Sequence, residues 1–154
     1  MSLLSTWEIL QLVDVRRHPG SRKFPHFKKE ELELWLPEHQ ISYLHLVDLG
    51  GRRKPQKNSV NTAWRLDSFR GYADYMETNN FKEAALKLQE TAAVQKTAFM
   101  CSEAVWWSCH RALVSDYLKI RNWEVMHIMG SNKVMEHPYT KPARIENGQL
   151  TYRE

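Results

Sequence analysis

The sequence predicts an α/β fold, a three-layer Rossmann-like arrangement in which helices flank a mostly parallel sheet. Strand and helix signals alternate along the chain, and parallel strands require crossover connections of this kind. Polar residues also recur where successive strands end, which is where open sheets of this class bind ligands. A length of 154 residues fits one domain of ordinary size, so we predict a single domain over residues 1–154.

The first half of the chain contains two strand signals and one helix signal. Residues 10–15 (LQLVDV) form a short apolar run with β-branched residues, which predicts a strand. Residues 28–39 (KKEELELWLPEH) have helical spacing, and Pro37 is expected to end that helix. Residues 41–49 predict the second strand, and residues 50–65 a polar loop long enough to be functional or mobile.

The second half continues the alternation. Asn80, with an acid three residues later, resembles a capping box that begins a helix. Residues 97–101 predict a third strand, and Ser108 is a predicted N-cap for a helix that ends near Asn122. Residues 123–129 (WEVMHIM) predict a fourth strand of the same sheet.

The net charge of +4 is unevenly distributed. Residues 14–29 contain six basic residues against one acid, a local charge of +5, and residues 52–70 contain the same number of each. Two such segments predict a positive surface for a phosphate, a nucleotide or nucleic acid. The alternative is a pair of solvated loops that serve only solubility.

Composition also constrains the compartment. No apolar run approaches the roughly 20 residues that span a bilayer, so we predict no membrane segment and a cytoplasmic protein. Two cysteines are too few for the disulfide framework of a secreted domain, and a reducing cytosol keeps thiols free. We therefore expect two free thiols and no structural bridge.

The segment from residue 99 to residue 118 has the densest reactive chemistry. Cys109 is the predicted nucleophile because a helix start favours the thiolate, while Cys101 ends a strand. His110 and Arg111 follow as a base and an anion-holding charge. Glu103, expected to be partly desolvated, suits a general acid or base. The alternatives are buried, inert cysteines and an ion-paired Glu103.

The sequence lacks the motifs that usually indicate a metal site or a cofactor. The chain has no paired CxxC and no HExxH, so no metal site is predicted despite its cysteines and histidines. A Walker A pattern and a GxGxxG pattern are both missing, so no cofactor is predicted. The stretch LGGRR at 49–53 offers a flexible turn with two guanidinium groups, either as an anion cradle or only as a turn.

Two further features leave alternatives open. Trp64, Trp106 and Trp107 lie in loops or junctions, where they either stack on bases or close over a core. In the C-terminal tail, GQLTY predicts a turn and a short strand, which would bring His137 and Arg144 to the site. A solvated tail is the alternative.

Several blocks occur together in the order LVDVRRHPGSRKFPHF, YLHLVDLGGRR, FRGYADYMET, MCSEAVWWSCHRALVSDYL and HIMG, followed by EHPYTKPAR and LTY. In this combination the chain resembles the DUF488 family, from about Leu3 to the C-terminus. The resemblance implies an α/β fold with Rossmann-like layering and no established activity. It also implies a further N-terminal strand and most of a helix, which this sequence lacks.

Together these features predict an enzyme that acts on a phosphate-bearing or nucleic-acid-related substrate in an Arg-rich cleft. A non-catalytic nucleotide or nucleic-acid binding module is the alternative, and a dimer is compatible with the sequence. The predicted catalytic residues are Glu103, Cys109, Cys101 and His110. The predicted anion-binding residues are Asp14, Arg16, Arg22, His45, Gly50, Gly51, Arg52, Arg53, Arg70, Tyr72, Arg111 and His137.

Overall fold

The computed structural model describes residues 2–17, 28–103 and 105–154. The chain divides into two compact units, each built from two segments. The first unit comprises Met1–Gly50 and Glu83–Ser102, and the second comprises Gly51–Lys82 and Glu103–Glu154.

The first unit contains a parallel sheet of three strands in the order β2-β1-β3. Its strands are β1 (Gln11–Asp14), β2 (Ser42–His45) and β3 (Thr97–Met100); its helices include α1 (Ser2–Thr6), α2 (Lys29–Glu38) and a 3-10 turn at Val47–Leu49. All four residues of β1 are buried, as expected for a central strand. The apolar core joins Leu12 of β1 to Leu32 and Leu36 of α2 and to Ile41.

The second unit contains helices and two antiparallel hairpins. Its elements are α3 (Asp67–Tyr75), a 3-10 turn at Trp106–Ser108, α5 (Arg111–Ile120), and the hairpins of β4 (Met126–Gly130) with β5 (Lys133–Glu136) and β6 (Arg144–Glu146) with β7 (Gln149–Thr151). Helix α4 (Asn79–Val94) begins in this unit. Phe81 packs edge-on against Tyr72 and Tyr117, so aromatic rings form much of the core here.

The structure confirms an α/β protein with a parallel sheet and a strand in each of the first three predicted runs, but the second strand is shorter than predicted, because Val47–Leu49 form a 3-10 turn. The prediction that residues 123–129 add a parallel strand is wrong, because β4 pairs with β5 as a hairpin. A short apolar run does not distinguish a parallel strand from a hairpin arm, and the turn that decides it lies beyond the run. The larger, three-layer Rossmann-like sheet remains a prediction.

Several helix boundaries also differ from the predictions. Pro37 lies inside α2, near its C-terminus, where the ring removes one backbone hydrogen bond without breaking the helix. His110, and not Ser108, is the N-cap residue of α5, because Ser108 belongs to the preceding 3-10 turn. Helix α3 was not predicted, since Gly71 and several polar residues weaken its helical pattern.

The long polar loop before α3 is held by one buried carboxylate. Asp74 accepts hydrogen bonds from the backbone of Gln56 at 2.7 Å, from Ser59 Oγ at 2.7 Å and from Asn61 Nδ2 at 2.7 Å. Gly71 makes close packing feasible there, because a side chain at that position would overlap the carbonyl of Arg53. This loop is therefore fixed to α3 by specific contacts.

Among the described residues, none of the helices combines the length and the apolar character that a bilayer crossing requires.

Candidate functional site

The second unit contains a fully buried carboxylate on α5, Asp116. It accepts hydrogen bonds from the backbone N–H of Thr140 at 3.0 Å, from Thr140 Oγ1 at 2.6 Å and from the hydroxyl of Tyr152 at 2.8 Å. The C-terminal segment thus supplies most of the donors that satisfy Asp116, and Tyr152 is itself buried. Burial of a carboxylate is tolerable here because its oxygens are hydrogen-bonded.

Two histidines extend this carboxylate into a chain. His137 Nε2 lies 2.8 Å from Asp116 Oδ1, and His137 Nδ1 lies 2.8 Å from His127 Nε2. A carboxylate only accepts, so neutral His137 carries its proton on Nε2 and accepts at Nδ1. His127 must then donate from Nε2, which leaves the lone pair on His127 Nδ1. The hydrogen bonds therefore select one tautomer of each imidazole.

The unbonded nitrogen of this chain faces outward. His127 Nδ1 has no hydrogen-bond partner in the part of the chain that the structure describes. The enclosed polar atoms that lack a partner among the described residues do not include His127 Nδ1, so this nitrogen is not completely enclosed. His127 as a residue is only 6% exposed, so this nitrogen is a protected lone pair with limited access to solvent.

The surroundings of His127 keep its imidazole neutral. Burial lowers the pKa of His127 to about 4, with further contributions from His137 and from the positive charge of Arg111. The indole of Trp106 stacks on the imidazole, with ring centroids 4.6 Å apart and an interplanar angle of 5°. A residue outside this series of hydrogen bonds also contacts His137: Lys119 Nζ donates to the backbone carbonyl oxygen of His137 at 2.6 Å.

The first unit has a second buried carboxylate, Asp14, at the carboxyl end of β1. Arg16 donates to it from Nε at 2.8 Å and from its NH2 group at 2.6 Å, and Tyr43 donates from its hydroxyl at 2.5 Å. His45 Nε2 lies 2.6 Å from the carbonyl oxygen of Arg16. Asp14, Arg16 and His45, predicted to lie near each other, are thus brought together: Asp14 and Arg16 form a buried ion pair, and His45 contacts the backbone of Arg16.

Two expectations about the cysteine segment are wrong. Cys101 and Cys109 are both disulfide-bonded, so neither is a free thiol. The prediction rested on the small number of cysteines in the chain, and that number alone does not decide whether they are oxidised. Glu103 was expected to be partly desolvated, yet it is exposed. Its backbone carbonyl accepts a 3.4 Å hydrogen bond from Arg111.

The predicted anion-binding arginines have varied surroundings. The guanidinium of Arg53 lies 3.7 Å from the ring centroid of Tyr75, and Arg70 pairs with Asp67 at 2.6 Å. Arg52 is exposed and has a left-handed backbone, with φ of 61°. Arg22 lies outside the described residues.

The two glycines of the predicted LGGRR cradle are both required by close approaches. A Cβ on Gly50 would lie 2.5 Å from Cβ of Arg17, and one on Gly51 would lie 2.7 Å from Nδ1 of His110. His110 also contacts the ring of Tyr72, with centroids 4.9 Å apart. The structure thus brings Gly51, Tyr72 and His110 together in the second unit.

The predicted site residues are divided between the two units, so a single shared cleft remains a prediction. Asp14, Arg16, His45, Gly50 and Cys101 belong to the first unit; Gly51, Arg52, Arg53, Arg70, Tyr72, Glu103, Cys109, His110, Arg111 and His137 belong to the second. Sequence reasoning did not identify the roles of Asp116 and His127. One available signal was an acid at 116 within the apolar pattern of α5.

No group of three or more His, Cys, Asp or Glu side chains within the described ranges is arranged to hold a metal ion. What the geometry defines is an α/β protein with a three-stranded parallel sheet and a buried Asp–His–His chain.

The chain belongs to the DUF488 family, a domain of unknown function, whose sequence profile matches residues 1–118. That match includes Asp116 and ends before His127 and His137. No curated protein and no solved structure matches the chain.

Proposed function

We propose that the protein is an enzyme that acts on a phosphate-bearing or nucleic-acid-related substrate, with His127 as its general base and acid. The observation that carries this proposal is the hydrogen-bonded chain from His127 through His137 to Asp116. A buried carboxylate that orients an imidazole is a recurring arrangement in proton-transfer sites. Here a second imidazole extends the arrangement outward to a nitrogen that can meet a substrate.

The chain allows a proton to be taken up without placing charge on the desolvated ring of His127. His127 Nδ1 removes a proton from a hydroxyl group or a water molecule, and the proton on His127 Nε2 moves to His137 Nδ1. His137 then carries both of its protons, and its positive charge pairs with the Asp116 carboxylate 2.8 Å away. Reversal of these transfers returns the proton to a leaving group.

The charge near this chain favours an anionic substrate. The positive charge of Arg111 contributes to the lowered pKa of His127, and the same charge favours an anion bound beside that ring. The net charge of +4 also favours the approach of anions. Glu103 holds Arg111 through its carbonyl oxygen. Cys109 has no role in this chemistry, because a disulfide-bonded sulfur is not a thiolate nucleophile.

One observation supports the alternative of a nucleotide or nucleic-acid binding module without turnover. Trp107 is 54% exposed, and an exposed indole provides a surface on which a base can stack. Such a module would bind through Trp107 and the basic residues, and it would not depend on the Asp116 chain.

The test is turnover of a panel of phosphate esters by the purified protein and its His127→Gln variant. The panel contains a phosphate monoester, a phosphodiester, a nucleoside 2′,3′-cyclic phosphate and a short RNA. We expect hydrolysis of at least one member, with a rate reduced roughly 10²–10⁴-fold in His127→Gln, the range of general acid–base contributions. His39→Gln is the matched control, because His39 is an exposed histidine at the C-cap of α2.

Turnover that survives His127→Gln would place the chemistry elsewhere and overturn the proposal. Binding of the RNA without turnover of any panel member, lost in Trp107→Ala and kept in His127→Gln, would establish the binding module instead.

A further inference from the structure

Four side-chain polar atoms are enclosed without a hydrogen-bond partner in the described ranges 2–17, 28–103 and 105–154. They are Trp64 Nε1, Trp106 Nε1, Arg111 Nε and Ser115 Oγ. An enclosed donor without an acceptor costs about 1–3 kcal/mol, so each such atom requires an explanation. Two of the four, those of Trp106 and Arg111, belong to the surroundings of His127.

Trp106 and Arg111 are placed around His127 by different contacts. The indole of Trp106 is stacked on the imidazole and also meets His137 edge-on, at a centroid distance of 5.0 Å. Arg111 begins α5, which packs against the 3-10 turn that contains Trp106, and its charge contributes to the lowered pKa of His127. The site therefore has one unbonded acceptor, His127 Nδ1, and two unbonded donors.

The chemistry of the two donors restricts what can meet them. An indole N–H and a guanidinium N–H donate only, so their partner must be an acceptor. Arg111 takes part in none of the salt bridges found within the described residues. Burial lowers its pKa, and Glu103 opposes that effect only through its charge. A partner with negative charge would offset this desolvation.

We infer that Trp106 Nε1 and Arg111 Nε bind the oxygens of one small oxyanion, a phosphate or carboxylate group, beside His127. The inference rests on the proposed function, for which it supplies the subsite that holds the anionic group of the substrate. Both nitrogens are enclosed although the two side chains are only half-buried, so an anion reaches them only when one of these side chains moves. The reacting oxygen then lies next to the lone pair of His127.

The experiment uses the indole N–H of Trp106 as a direct reporter. The full chain is labelled with ¹⁵N, the indole resonance is assigned from its loss in Trp106→Phe, and inorganic phosphate, sulfate and acetate are titrated in turn. We expect the Trp106 N–H proton resonance to move downfield with saturation, because the N–H gains a charged acceptor. A larger effect of phosphate than of acetate identifies a phosphate subsite, and the reverse order identifies a carboxylate subsite.

Variants then test whether Arg111 is the second donor. Arg111→Lys keeps the positive charge and loses the Nε donor, and we expect the phosphate Kd to weaken roughly tenfold. Arg121→Lys, at the other end of α5, is the matched control and should leave the Kd unchanged. The wild-type titration needs no variant to fold, so the inference is testable even if Arg111→Lys does not fold.

The outcomes separate this inference from the proposed function. His127→Gln should keep phosphate binding while it loses turnover. If turnover depends on His127 but no anion shifts the Trp106 resonance, the subsite is absent and the proposed function stands. If anions bind at Trp106 and Arg111 but nothing is turned over, the subsite stands and the enzyme proposal falls. Equal weakening in Arg111→Lys and Arg121→Lys would show that the loss is not specific to the Nε donor of Arg111 and overturn the inference.

Discussion

Each unit of the protein buries one aspartate completely, and the two are satisfied in different ways. Asp14 in the first unit is paired with Arg16, a permanent cation, and with the hydroxyl of Tyr43. Asp116 in the second unit is paired with His137, which leads to His127, and with the hydroxyl of Tyr152. Each carboxylate thus accepts a hydrogen bond from a tyrosine hydroxyl, but the two carboxylates differ in the basic residue with which they pair.

The comparison separates a structural carboxylate from one suited to chemistry. Arg16 does not deprotonate at any relevant pH, so it cannot exchange a proton with Asp14 and serves to hold the loop in place. An imidazole, unlike a guanidinium, can carry its proton on either nitrogen, and the hydrogen bonds of His137 extend from Asp116 to a lone pair on His127. Burial alone therefore does not indicate function, whereas the type of partner does.

The largest expected effect comes from making each aspartate neutral. Asp14→Asn leaves Arg16 buried without a counter-charge, and we expect a loss of about 3–5 kcal/mol in the free energy of unfolding. Asp116→Asn leaves no buried charge without a partner, because the donors around Asp116 are neutral and the amide oxygen still accepts hydrogen bonds. We therefore expect a smaller loss, about 1–3 kcal/mol in the free energy of unfolding. Urea denaturation at neutral pH measures both.

The exposed pair of Asp67 and Arg70 provides the control for these variants. Asp67→Asn should cost less than about 1 kcal/mol, because Asp67 is largely exposed to solvent. A cost for Asp116→Asn equal to that of Asp14→Asn would mean that the histidine chain is already charged, and the contrast between the two carboxylates would disappear.

The second prediction concerns pH. The folded-state pKa of His127 is about 4, below its value of about 6.5 in an unfolded chain. Between these values the unfolded chain binds a proton at His127 that the folded protein does not. The contribution of neutral His127 to the free energy of unfolding is therefore complete above pH 6.5. It is lost as the pH falls toward 4, and the loss is at most about 3 kcal/mol. Unfolding midpoints measured from pH 7.5 to 4 test this.

His127→Gln should flatten this part of the pH profile, because glutamine does not titrate. His39→Gln is again the control, since it removes one exposed histidine and leaves His127 in place. A slope that is identical in the wild type and in His127→Gln would show that the protein's acid sensitivity arises from other groups.

The sequence predicted much of the first unit and less of the second, for a physical reason. Strands β1 to β3 are short apolar runs between turn signals, a local pattern that the sequence contains in full. The chain of Asp116, His137 and His127 depends instead on three separate elements meeting in the fold. A single Asp or His within an apolar pattern usually has a structural role, so the sequence did not single out Asp116 and His127. His137 was therefore predicted as a site residue without its two partners.

The disulfide and the hairpin of β4 with β5 show the same limit from another direction. The local sequence does not decide whether cysteines are oxidised. It also does not decide whether an apolar run pairs with its neighbour or with a distant strand, because both pairings fit the same local pattern. Gly130, at the end of β4 and directly before the turn, was the local signal available for the hairpin. The choice between such alternatives is decided by the packing of the whole unit, which a single sequence does not display.

The smallest expected effect, and the most direct test of the comparison, comes from the two tyrosines. Tyr43→Phe and Tyr152→Phe each remove one hydroxyl that donates to a buried carboxylate, at 2.5 Å and 2.8 Å respectively. Each should reduce the free energy of unfolding by about 1.5 kcal/mol, the order of a hydrogen bond to a charged group. On stability alone the two variants are expected to be similar.

They should differ in their effect on the histidines. Without the Tyr152 hydroxyl, Asp116 is a stronger acceptor for the N–H of His137, so the proton resonance of His137 Nε2 should move downfield in the ¹⁵N-labelled protein. Tyr43→Phe changes a carboxylate that faces Arg16, and it should leave the His137 resonance in place. If both variants shift that resonance, or neither does, Asp116 does not control the imidazole chain, because a carboxylate that orients His137 must transmit a change in its own hydrogen bonds to that ring.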